Sequence, residues 1–121
     1  MEMERVLIIF RKGPYGHINS LEGIRIAQGL LVLDVEADAV FIDDGVFNLV
    51  KDQNPTGIGH HSVMGALEAM HRYDIPIFAC KQSMQKRGLT IEDIDPALEV
   101  KVISLEELSD LLLQAEATIA L

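Results

Sequence analysis

The feature that most constrains the fold is an alternation repeated along the chain: a short apolar run, then a stretch with apolar residues at helical spacing. Residues 6–10, Val-Leu-Ile-Ile-Phe, form a continuous run rich in branched side chains, as expected of a strand covered on both faces. The spacing then predicts a helix capped by Asn19, with Glu22 three residues on and Leu21, Ile24, Ala27, Gln28 and Leu31 along one mainly apolar face. Residues 39–42 predict a second strand closed by Asp43-Asp44-Gly45, and residues 45–50 a short helical turn. Residues 51–61, with Asn54-Pro55 and two glycines, read as a surface loop. Ser62 can then cap a helix carrying Val63, Ala66, Leu67 and Met70 at 3.6-residue spacing. Residues 75–80 predict a third strand, with Pro76 tolerable at its beginning. A short helix follows through Arg87, and Gly88 is placed to end it. Residues 100–103 predict a fourth strand. Ser104 and Glu107 make a capping box for a helix with Leu105, Leu108, Leu111 and Leu112 inward, and residues 117–121 close the chain as a fifth strand.

Five strands alternating with helices define an α/β fold, a mostly parallel sheet with helices on both sides. Right-handed crossovers restrict the topology without fixing the strand order. The 121 residues, free of repeats and linkers, suit a single domain spanning 1–121. A strand at the very end of the sequence suggests a sheet edge covered by another subunit. No apolar run approaches the roughly 18 residues of a membrane span, so no membrane partner is expected. The first five residues lack the basic segment of a secretory signal. The single cysteine permits no internal disulfide and fits a reducing compartment, so a cytoplasmic location is expected. Ten Lys and Arg against nineteen Asp and Glu give a formal net charge of -9, a field that repels phosphate backbones and argues against direct nucleic-acid binding.

Ligands of open α/β sheets bind outside the carboxyl ends of the strands. That edge would carry residues 11–17 after the first strand, Asp43 and Asp44 after the second, and residues 80–83 after the third. Cys80 is the leading candidate there. A thiol at a helix N-terminus feels partial positive charge, and Lys81, Lys86 and Arg87 flank it, which favours a thiolate below the ordinary pKa of about 8.5. A free cysteine also commonly serves as a small buried hydrophobe, and spacing alone leaves both readings open. His60 and His61, as direct neighbours, are poorly placed to ligate one metal together, His17 and His71 stand alone, and no metal site is expected. Asp43-Asp44 suggests the acidic pocket of a phospho-receiver domain, but the third strand ends in Cys80 where that pocket needs an aspartate. Gly13-Pro14-Tyr15-Gly16 matches neither a dinucleotide fingerprint nor a P-loop, and residues 11–18 lack the Ser and Thr of a flavin loop.

Taken in order, several segments resemble the DsrE/DsrF-like superfamily, most closely its TusC/DsrF branch of sulfur-relay proteins. They are Gly13-Pro14-Tyr15-Gly16-His17 after the first strand, Ser20-Leu21-Glu22-Gly23 opening the first helix, residues 41–49 (FIDDGVFNL), Tyr73-Asp74-Ile75, and residues 79–89 (ACKQSMQKRGL). The last resembles a family pattern of Cys, two residues, Ser, three residues, then Arg-Gly-Leu. The resemblance implies a three-layer sandwich with a five-stranded parallel sheet, assembling into homo- or hetero-oligomers, trimers or hexamers. It implies that Cys80 carries sulfane sulfur as a persulfide, with Lys81 and Ser83 as supporting residues and neither metal nor organic cofactor. The sulfur would serve tRNA thiolation or sulfur oxidation. With one cysteine, transfer must be intermolecular, so other sulfur-carrier proteins would be persulfide donor and acceptor. Two further readings stand beside it: a non-catalytic assembly subunit of a DsrEFH/TusBCD-like complex, and a small-molecule-binding regulatory domain using Arg11, Lys12 and His17.

Overall fold

The computed structural model of the chain describes residues 4–14, 18–51 and 63–121. The expectations placed on His17, His60, His61, the Ser62 cap and most of the loop at 51–61 lie outside these residues. In chain order the elements are β1 (Arg5–Phe10), α1 (Asn19–Val32), β2 (Glu36–Phe41), a 3-10 segment (Asp43–Leu49), α2 (Val63–Arg72), β3 (Ile77–Cys80), α3 (Lys81–Lys86), β4 (Lys101–Ile103), α4 (Leu105–Gln114) and β5 (Ala117–Ala120). Two short 3-10 turns, Ile91–Asp93 and Pro96–Leu98, bridge α3 and β4. The second is opened by Asp95, whose carboxylate accepts from the Ala97 N–H.

Several boundaries differ from the sequence expectation by a residue or more, and three of them have a clear physical reason. β2 starts at Glu36, ahead of its apolar run, because Arg5 on β1 pairs with both Glu36 and Asp38 and so accommodates two carboxylates in the strand. Strand β3 starts at Ile77; Pro76, without an N–H, contributes only its carbonyl to the Ala39 N–H. Helix α1 begins one residue early, so Asn19 is already helical, Ile18 occupies the cap position and no side chain caps it. The capping box of Ser104 and Glu107 forms as expected, with the Ser104 hydroxyl accepting from the Glu107 N–H at 3.1 Å.

The five strands form one sheet in the order β4-β3-β2-β1-β5, and every neighbouring pair is parallel. The register pairs Phe10 with Phe41, Phe41 with Ala79, and Cys80 with Ile103. Side chains alternate between faces. Val6, Ile8, Phe10, Ala39, Phe41, Ile77 and Ala79 point to the face covered by α1 and α2, where Ile24, Ala27, Leu67 and Met70 complete the larger core. Phe10 and Phe41 stack there with ring centroids 4.4 Å apart. The opposite face is thinner. Leu7, Val40 and Ile103 are buried on it beneath Leu108, Leu111 and Ala115 from α4 and its end. These layers make the three-layer α/β sandwich.

Helix α4 itself contributes no buried residue. Leu108 and Leu111 rest on the sheet, but Leu105 and Leu112, expected inward, are 52% and 42% exposed, and Leu113 is 82% exposed. Four leucines span a wider arc than one helix can press against a twisted sheet, so those at the side of the contact remain outside.

At the carboxyl edge, Gly45 sits against the β1 backbone. A Cβ there would lie 2.0 Å from the Phe10 carbonyl oxygen, so only glycine allows the segment after β2 to close over the end of β1. At the opposite edge, Arg5 donates to Asp38 at 2.9 Å. Burial pushes the Asp38 carboxyl above its ordinary range despite the guanidinium beside it.

Candidate functional site

Cys80 is the last residue of β3, and the chain passes from it directly into α3. It shares a sheet face with Phe78, the α4 side, and is 2% exposed. Its thiol is free of any disulfide. The interior position follows from the register, which sets Cys80 between neighbouring strand ends and pairs it with buried Ile103.

A clasp joins the exit of β2 to the helix that follows Cys80. After β2 the chain turns at Asp43, a non-glycine residue with φ of 50°, within the left-handed region that aspartate tolerates better than most residues. The turn directs the Asp43 N–H at the Ser83 hydroxyl, which accepts it at 3.0 Å. Ser83 lies one turn into α3 and is buried. One further turn along, Arg87 donates from Nε to the Asp44 carboxylate at 3.0 Å and from Nη1 to the Ser83 carbonyl at 3.2 Å. Ser83 and Arg87 stand four apart and so share a helix face. Together they lock the exit of β2 to the helix that Cys80 begins.

The remaining candidates are less tightly grouped. Lys81 is exposed and lines a groove between α3 and β4 with Met84 and Gln85. Lys86 is exposed and Arg87 is committed to the clasp, so the three cations expected around the thiol do not act alike. Arg11 donates through both its backbone N–H and its Nε to the Leu121 carbonyl, tying β1 to the end of β5. Lys12 contributes its carbonyl, which accepts from Ser20 and from Asn48. His71 lines a pocket with Asp74, Pro76 and Glu99 at the amino end of β3, away from the thiol. Sequence reasoning singled out Asp43 and Asp44 but linked neither to α3. The usable signal was the spacing of Ser83 and Arg87 on one face behind a strand-end cysteine.

The site offers a thiol held nearly out of solvent at the start of a helix that Ser83 and Arg87 tie to the exit of β2. That chemistry is covalent capture and release of a group on sulfur. A thiol this covered reacts only when the surrounding segments move or a partner displaces them.

Comparison with known proteins agrees with this architecture. A sequence model of the DsrE/DsrF-like family matches residues 4–121. The chain is similar to a protein named "Protein TusC homolog" from Vibrio parahaemolyticus serotype O3:K6, 30% identical over 114 residues that span 93% of this chain and 95% of the relative. A protein of the same name from Vibrio vulnificus strain CMCP6 is 32% identical, covering 91% of this chain and 92% of its own. Among solved structures, the ychN protein from E. coli superposes with a TM-score of 0.85 at 21% identity, covering 98% of this chain and 100% of that one. MTH1491 from Methanobacterium thermoautotrophicum superposes at 0.75 with 17% identity, covering 98% and 99%. At these identities the structures speak for the fold alone.

Proposed function

The chain belongs to the DsrE/DsrF-like family, and on that premise we propose that it is a sulfur-relay protein carrying sulfane sulfur as a persulfide on Cys80. The observation that carries the reading is the position of Cys80, the chain's single cysteine, at the carboxyl end of β3 with the exit of β2 clasped against its helix. The Cys80 thiolate attacks the outer sulfur of a donor persulfide. A new S–S bond forms on Cys80, the donor's S–S bond breaks, and the donor leaves as a thiolate. An acceptor thiolate then attacks the terminal sulfur and regenerates Cys80. Each step exchanges one S–S bond for another, so no external oxidant, metal or organic cofactor is needed. With one cysteine, donor and acceptor are separate carrier proteins of the same cytoplasm, feeding tRNA thiolation or sulfur oxidation. Ser83 supports the site through the Asp43 N–H, and Lys81 supports it as an exposed cation next in sequence to the thiol.

The burial of Cys80 favours a second reading, a non-catalytic assembly subunit in which the thiol only packs. One experiment separates them. The protein is incubated with a persulfide donor and its intact mass measured. The carrier reading expects an adduct of one sulfur atom on the wild type and none on Cys80→Ser. An unchanged wild-type mass, with alkylation of Cys80 at neutral pH no faster than of a denatured control, leaves the assembly subunit.

A further inference from the structure

Cys80 is buried at 2% exposure, yet it lies on the thinner side of the sheet. It stands two residues after Phe78 and pairs with Ile103, so its side chain shares their face, the one beneath α4. The helical side chains packed on that face are Leu108 and Leu111, whereas Met84 of α3 joins the core on the other side. Ser104 follows Ile103 directly and caps α4, which sets the first turn of the helix at the level where β3 ends in Cys80.

The hold of α4 on the sheet is slight. The helix connects β4 to β5, the two edge strands. Four strand spacings put those edges about 19 Å apart, while a helix of ten residues extends about 15 Å. It therefore crosses the sheet as a strap tied at both ends. No residue of it is buried, and Leu108 and Leu111 are only half-buried. Among the described residues, no ion pair joins α4 to the rest of the chain. The side-chain hydrogen bonds at its start are those of its own capping box, Ser104 with Glu107.

We propose that the first turn of α4, residues 105–108 behind the Ser104 cap, is a gate over Cys80. It opens by unwinding from the cap while the sheet and the layer of α1 and α2 stay folded. A strap fixed at both ends does not swing aside as a rigid body; it yields by melting a terminal turn, and this is the turn at the level of the thiol. As a regulatory device the gate rests on the carrier reading of Cys80: closed, it shields a persulfide from stray small thiols, and open, it admits donor or acceptor.

The test labels Cys80 in the full chain with iodoacetamide, at concentrations where the rate is proportional to reagent and so reports the population of the open form. The wild type is expected to label more slowly than the urea-unfolded chain. Its rate should rise with urea along a shallower slope than global unfolding follows. Leu108→Ala is expected to speed labelling at least about tenfold by removing the anchor. Ser104→Ala should speed it about fivefold by removing the cap. Ser109→Ala, at an exposed helix position, should slow it about twofold. Ile24→Val, in the core of the other face, should lower the midpoint of global unfolding and leave the labelling rate unchanged. A wild type that labels as fast as the unfolded chain overturns the proposal. So does equal acceleration by Ile24→Val and Leu108→Ala, which would mean that Cys80 reacts only from the unfolded chain. Acceleration by Arg87→Gln with none by Leu108→Ala overturns it too, because the clasp would then be the cover. If labelling follows the expected order while a persulfide donor leaves no sulfur adduct, the gate stands and the carrier reading falls.

Discussion

Asp38 is the residue whose surroundings work against its charge. Burial raises its carboxyl above the ordinary 3.8, Arg5 opposes that through charge and a hydrogen bond, and Glu36 adds repulsion. Between 3.8 and the raised value the folded chain holds a proton that the unfolded chain has lost, so this group's contribution to stability falls as pH rises through that window. Arg5→Met removes the opposing charge. At neutral pH it should cost about 1–2 kcal/mol, at the modest end because the Arg5 side chain is 40% exposed and solvent screens it. The cost should shrink in acid, where Asp38 is protonated in both proteins. Urea unfolding at the two conditions checks this, and an equal penalty at both would exclude Asp38 as the group responsible. At this scale the position of Cys80 was legible, because a strand-end thiol followed by cations has a sequence signature. The clasp was not: Asp44 and Arg87 are 43 positions apart, and no local pattern pairs them.

Three helices end in the same backbone motif with different residues at its left-handed position. After α1, the Val35 N–H reaches the Leu30 carbonyl and Asp34 that of Leu31; after α2, Ile75 reaches Met70 and Asp74 reaches His71. After α3, Leu89 reaches Met84 and Gly88 reaches Gln85. This is the Schellman arrangement, which satisfies orphan carbonyls and needs positive φ at one residue. Gly88 takes φ of 68° freely, whereas Asp34 and Asp74 sit at 61° and add a carboxylate to the negative end of their helices. Asp34→Gly and Asp74→Gly should each therefore stabilise the chain by up to about 1 kcal/mol, read as a raised denaturant midpoint with an unchanged slope. Asp34 should gain more, since three carboxylates, Glu4, Glu36 and Glu116, line the same pocket against one cation, Arg5. The α3 stop was legible because glycine announces it. Stops made by aspartate look like ordinary polar residues in sequence. Strand β2 shows the same limit, since an ion pair with another strand, not its own pattern, decided where it began.

For the whole molecule the decisive fact is the inequality of the two faces. Helix α1 buries Ser20, Gly23, Ile24 and Ala27, and α2 buries Val63, Leu67 and Met70, while α4 only half-buries Leu108 and Leu111. Native-state hydrogen exchange in dilute protein should find α4 amides opening at lower free energy than those of β1, β2 and α1. Equal protection across all three layers would contradict it. The α/β class, the parallel sheet and the layered arrangement were legible from periodicity, which reports local burial. Strand order was not, because it depends on which way each crossover turns, and the uncovered leucines of α4 were not, because heptad spacing says that a stripe is apolar without saying how wide its support is. The order also sets a timetable for folding. β1 pairs with β2 early in the chain, but its other edge pairs with β5, and the Arg11 contact to Leu121 closes 110 positions of intervening chain. During synthesis, strands β1 to β4 can assemble as they emerge, while the free flank of β1 must wait for the last strand. Until then a nascent chain displays an unpaired parallel edge on the far side of β1 from Cys80, a ready template for the wrong strand.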